Sequence, residues 1–230
     1  MKHLLLSLLL CSTTSLQAQT PINQEQLGAW YMYYFMHGFE KSKFGLQGDY
    51  QYRAWNFGTD LEQLLLRTAI TYQPFNNGNM LSLGYAFVGS GAFGESDAVV
   101  DEHRIYQEAL LPQHLGGRFY MVHRLRYEQR FIEDQLLRTR YRYNLFLNIP
   151  LNKRALEPQA VYLAFYNELF VNGQRQAAAG AQVELFDRNR FYQGLGYVFN
   201  GSTRLQMGWM LQSTNSWEKA QFQLSMHQRW

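Results

Sequence analysis

Arginine recurs at every second position in two neighbouring stretches of this chain. Arg124, Arg126, Glu128 and Arg130 alternate with Leu125, Tyr127 and Gln129; Arg138, Arg140, Arg142 and Asn144 alternate with Thr139, Tyr141 and Tyr143. A period of two puts alternate side chains on opposite faces of a strand, so each stretch has one cationic face and one greasy face. The connection at 131–134, FIED, makes the pair a hairpin. In a register that sets Glu128 opposite Arg138, Arg126 faces Arg140 and Arg124 faces Arg142. Arg104 lies on the strand before, sharing parity with Tyr106 and Glu108, and Glu168 on the strand after. Like charges opposed across a strand pair repel. Seven arginines against Glu108, Glu128 and Glu168 therefore leave a local positive excess. Two readings compete. One is a structural network, in which Arg and Glu fill a polar barrel interior through charge-assisted hydrogen bonds. The other is a passage whose arginine ring favours small acidic solutes.

Other chemistry is thinner. Ser225 and His227 share a parity two residues apart, as a nucleophile and its base could. No third group can be assigned, so no catalytic residue is named. A membrane-embedded lipid-modifying hydrolase is the rival function on this pair alone. His37, His103, His114 and His123 are scattered, with no zinc spacing, and no carboxylate cluster suggests calcium. Neither metal nor cofactor is expected. Asp101 and Glu102 read as solvated charge beside a loop. Gly194, Gly196 and Gly208 fall inside strands, where glycine admits close packing. Lys and Arg number 21 against 18 Asp and Glu, a near balance that supplies no field for nucleic acid.

The elements that would position these residues are short alternating runs. The clearest is Gln221 to Trp230, where Phe222, Leu224, Met226 and Trp230 share one parity with only Gln228 interrupting. Phe44, Leu46, Tyr50 and Tyr52 form another apolar row, as do Leu64, Leu66, Ile70 and Tyr72, and Leu81, Leu83, Tyr85 and Phe87. Leu205, Met207, Trp209 and Leu211 do the same late in the chain. Aromatics are the compositional outlier, with 16 Tyr, 16 Phe and 5 Trp. These features predict an all-β, transmembrane, antiparallel barrel with an arginine-rich lumen and aromatics near the membrane interfaces. A soluble sandwich explains the alternation equally well, by hiding the rows against a second sheet. Eleven strands can be counted directly. Single-chain bacterial barrels have even numbers, which predicts twelve: Asn172-Gly173 would turn a hairpin and Gln174 to Leu185 would be the extra strand. The alternative is ten, with 171–188 a long loop.

Residues 1–18 have the layout of a cleaved secretory signal, and 19–230 would be one barrel domain. Cys11, the sole cysteine, falls within that leader; lipidation there is the less favoured reading because Leu10 precedes it. These features imply the outer membrane of a Gram-negative cell. The implied partners are outer-membrane lipids and the barrel-assembly machinery, which would read Phe222, Leu224, Met226 and Trp230 as its signal. Small anionic solutes complete the expected partners.

A series of motifs carries a resemblance. In order they are GAWY at 28–31, DYQYR at 49–53, LLLRTAITY at 64–72, LGYAF at 83–87, EHRIYQE at 102–108, HRLRYEQRF at 123–131, LRTRYRY at 137–143 and FDRNRFYQGLGY at 186–197. Together they resemble the DUF2490 family of outer-membrane proteins, found mainly in Bacteroidetes. The resemblance covers nearly all of 19–230. It implies an outer-membrane β-barrel whose activity is uncharacterised, and it supplies no catalytic residues. The Ala-rich segment 177–181 departs from the pattern.

Overall fold

The computed structural model describes residues 22–94 and 98–230; the leader expected at 1–18, with Cys11, lies outside them. The described chain is all β. Its strands are β1 (Gly28–Gly38), β2 (Phe44–Ala54), β3 (Leu61–Tyr72), β4 (Met80–Gly91), β5 (Val99–Leu115), β6 (Phe119–Ile132) and β7 (Arg138–Pro150). They continue with β8 (Val161–Asn172), β9 (Gln176–Ala178), β10 (Ala181–Gln182), β11 (Phe186–Val198), β12 (Thr203–Ser213) and β13 (Glu218–Arg229). Eleven of them close into a barrel in the order β1-β13-β12-β11-β8-β7-β6-β5-β4-β3-β2; β9 and β10 form a separate two-stranded sheet.

The barrel is of the expected kind, with eleven strands rather than twelve or ten. The segment 174–185 does not supply a twelfth. It has no apolar row to give a barrel face. Gly180, at φ +76°, turns the chain back after only three paired residues. Gln174 folds down instead, its Oε1 accepting from Thr139 N at 3.1 Å. The even-number rule fails at the seam. β1 pairs with β13 in parallel, from Gly28 opposite Gln221 to Met36 opposite Arg229, while every other neighbour in the barrel is antiparallel. The start of β1 and the end of β13 therefore lie at opposite rims. We call these the Gly28 rim and the Trp230 rim.

The parity rows behave as read. Ile70, Leu83, Tyr85, Leu125, Tyr141, Leu195, Met207 and Trp209 stand exposed on the outside. Their alternates, among them Arg67, Ser82, Ala86, Arg126, Arg142, Tyr192 and Met210, are buried inside. Among the described residues no helix is long and apolar enough to cross a membrane. At the Trp230 rim, outward aromatics gather: Trp230 stacks on Phe35 at 6.2 Å between centroids, and Phe44 meets Tyr72 at 5.0 Å. Phe222, lower on the same wall, packs between Trp209 and Phe57.

Inside, glycines make room for rings. A Cβ on Gly196 would fall 2.1 Å from the Tyr162 ring, and one on Gly84 would fall 2.3 Å from that of Tyr106. Tyr162, Tyr192, Met210 and Trp30 thus join an apolar cluster within the lumen, on which Leu156 of the β7–β8 loop packs.

Candidate functional site

β5 to β8 form one continuous arc of the wall, and their inward positions build the charged site. The hairpin β6–β7 is shifted by two residues from the register expected. Arg130 faces Arg138, Glu128 faces Arg140 and Arg126 faces Arg142. The turn is the reason. It runs through Gln135 and Leu136, with Asp134 in the left-handed region at φ +56°, so it is longer than the expected 131–134 connection. The shift matters because it brings Glu128 between two arginines instead of leaving it beside the turn.

Each carboxylate then serves arginines from more than one strand or position. Glu128 accepts from Arg140 Nε at 2.9 Å and from Arg142 Nη1 at 2.6 Å. Glu168 on β8 accepts from Arg142 Nε at 2.9 Å and from Arg124 Nη2 at 2.7 Å. Glu108 on β5 accepts from Arg126 Nε at 2.7 Å. Glu102 accepts from Arg104 Nε at 2.7 Å and from Arg130 Nη2 at 3.0 Å. The like-charged pairs across β6–β7 are tolerated because Arg126, Arg130 and Arg142 each turn to a carboxylate on another strand or another level; Arg138 instead bonds Gln135 and Asn172. Guanidinium groups also lie over rings, Arg126 over Tyr106 at 4.3 Å and Arg142 over Phe170 at 4.5 Å, an attraction of the cation for the π face.

All nine expected site residues, Arg104, Arg124, Arg126, Glu128, Arg130, Arg138, Arg140, Arg142 and Glu168, point inward, and most are buried. Glu102 corrects the reading of a solvated loop charge: it is 5% exposed and ties β5 to β6. Its parity with Arg104 and Glu108 was the available signal. Several members carry no local clue. Asp49 takes two bonds from Arg67 at 2.8 and 2.9 Å. Asp187 accepts from Arg140 Nη1 at 2.9 Å. Glu62 accepts from the Trp30 indole at 2.8 Å and from Gln221 at 3.1 Å. Arg53 and Arg190 lie over the Trp30 ring at 3.8 and 4.7 Å.

The two halves of the lumen differ in access. Toward the Gly28 rim, Arg53, Glu62, Arg104, Glu128, Arg140 and Gln221 are nearly inaccessible, with Glu128 at 1%. An open passage would wet its lining; here the side chains fill the section. Lys219 is buried there too, donating to the carbonyls of Asn23 (2.9 Å) and Gln26, so the chain ahead of β1 runs across this rim. Toward the Trp230 rim, Tyr34, Met36, Gln47, Phe146, Tyr166 and Gln206 are part-exposed.

Ser225 Oγ does lie 3.0 Å from His227 Nε2. The imidazole stacks on Tyr34 at 4.7 Å, and no carboxylate is bonded to it among the described residues. The pair lacks the third group that orients a catalytic base. No group of His, Cys, Asp or Glu suited to a metal occurs among the described residues.

A closed barrel, apolar outside and filled by ion pairs within, defines the class: a β-barrel protein with an occluded polar lumen. At the sequence level, the model of a family described as Protein of unknown function (DUF2490) matches residues 27–223, and the chain belongs to that family. No curated protein and no solved structure matches the chain.

Proposed function

We propose that the protein spans the outer membrane and works there as a stoppered, non-enzymatic barrel, a structural element rather than a conduit. The observation that carries this reading is the burial of Glu128 between Arg140 and Arg142 at mid-section. Buried ion pairs are common filler in polar barrel interiors, and here they close a section that eleven strands would otherwise leave room in. Lipid as the outer neighbour is supported by the exposed rows headed by Ile70, Leu83, Leu195 and Met207, which in water would be a large unprotected apolar surface.

Reconstitution in planar bilayers tests the stopper. The unaltered chain is expected to insert without stepwise conductance. The triple variant E128A/R140A/R142A, which empties the mid-section, is expected to conduct. Steady, anion-selective steps from the unaltered chain would restore the arginine-lined passage instead. A chain that stays monomeric in detergent-free buffer would remove the membrane from the proposal altogether. Turnover of phospholipid by purified protein, lost in Ser225→Ala, would revive the hydrolase.

A further inference from the structure

The Gly28 rim holds a cavity of about 340 Å3, walled by the cations Arg130, Arg138 and Arg188, the carboxylates Glu184 and Asp187, and apolar Val183, Phe186 and Trp217 among others. That volume falls at the lower end of small-molecule sites. Its polar wall is unlike the rest of the lumen. Arg130 is matched by Glu102. Asp187 is taken by Arg140 at 2.9 Å and by Arg188 at 3.2 Å. Arg138 is 9% exposed, and its bonds are two long ones to neutral acceptors: Gln135 at 3.2 Å and Asn172 at 3.3 Å. Its Nε is buried with no acceptor among the described residues, and so is that of Arg188. A guanidinium taken out of water without a counterion is costly. Arg53 and Arg190 also lack a carboxylate, but glutamine oxygens and the Trp30 face satisfy them. Arg138 has no ring over it and faces the cavity instead.

We propose that this rim cavity is a binding site for a small organic oxyanion, a carboxylate or phosphate carried on a flat apolar body. The oxyanion sits between the guanidinium groups of Arg138 and Arg188, both of which line the cavity. The body lies against Trp217 and Phe186, from the β12–β13 turn and the start of β11. The same wall explains why 174–185 is kept short and folded back: Val183 closes one side of the cavity. The site is a dead end, so it does not depend on whether the lumen conducts.

Titration calorimetry on the detergent-solubilised full chain tests it, with benzoate, its neutral isostere benzamide, and inorganic phosphate as probes. Benzoate is expected to bind. Removing a charged donor costs enough to weaken it by about tenfold or more in Arg138→Gln. Trp217→Ala is expected to weaken benzoate and leave phosphate unchanged, and benzamide is expected not to bind. Benzoate binding that Arg138→Gln leaves intact overturns the site, as do benzamide binding as tightly as benzoate, phosphate binding without benzoate, or no heat with any probe. Folding of each variant is checked by its heat-dependent gel mobility. Arg138→Met adds a measurement independent of ligand: an uncompensated cation is expected to be replaced with no loss of melting temperature in anion-free buffer. A drop of several degrees would mean the guanidinium is already satisfied, and would overturn the proposal.

Discussion

The inner wall consists of two unlike arcs. From β5 to β8 the inward positions carry a dense set of Arg and Glu among rings such as Tyr106 and Phe170: Glu102 holds Arg104 and Arg130, and a second bonded run joins Glu168, Arg142, Glu128 and Arg140. From β12 through β13 to β1 they are mostly neutral, Gln206, Gln212, Gln221, Gln223, Ser225, Trp30 and Tyr34, with Arg204 and Lys219 the cations toward the two rims. The neutral arc contains the parallel seam. Every pair in the charged arc lies within a few strands along the sequence, and its strands can meet as hairpins. The seam joins residues at opposite ends of the chain, so its inward groups wait longest for partners. Amides and hydroxyls left unpaired cost far less than a buried charge. The shared carboxylate–arginine network is thus concentrated in the part of the wall that closes locally.

Four substitutions sharpen or break that contrast. The largest effect is expected from Glu128→Ala, which leaves Arg140 with Asp187 alone and Arg142 with Glu168 alone; breaking a buried pair costs about 3–5 kcal/mol. A urea titration in micelles would show it, and a change under about 1 kcal/mol would make the arcs energetically alike. Trp30→Phe is expected to come next. It removes the indole donor to Glu62 and leaves that buried carboxylate with Gln221, at a cost of about 1.5–3 kcal/mol for a bond to a charged group. Gln223→Ala then removes a neutral pair with Tyr166 of β8, 2.8 Å from the neutral arc across to the charged one, and is expected to cost about 1 kcal/mol in the same titration. The smallest effect on the folded barrel belongs to Trp230→Asp, since that ring is 53% exposed. Its effect is expected in cells, as a lower level of membrane-assembled protein on fractionation. Unchanged levels would remove Phe222, Leu224, Met226 and Trp230 as an assembly signal.

The alternation made the wall legible. Parity alone assigned Arg124, Arg126 and Arg130 inward and Leu125 and Tyr127 outward, because the two faces meet such different surroundings. Register was not legible, since it is set by a turn in which Asp134 adopts an unusual backbone conformation that no pattern of hydrophobicity records. The pairing of Asp49 with Arg67 was hidden for the same reason: it follows from β2–β3 register, which sets the two opposite one another. Trp30, Glu62 and Gln221 meet only after closure, across most of the chain's length. Strand number was countable, and the count of eleven agreed with the fold. It was set aside because a hairpin-only barrel must be even, and a parallel seam leaves no trace in local sequence.

That seam has a consequence for engineering the chain. In a hairpin-closed barrel, neighbouring first and last strands leave their ends side by side, and a few residues can splice them into a circle. Here the start of β1 and the end of β13 are separated by the full run from Gly28 to Met36, nine residues or about 30 Å at ~3.3 Å each. A circular permutant would need a connector that climbs the whole height of the wall, and a short one would force the two strands apart.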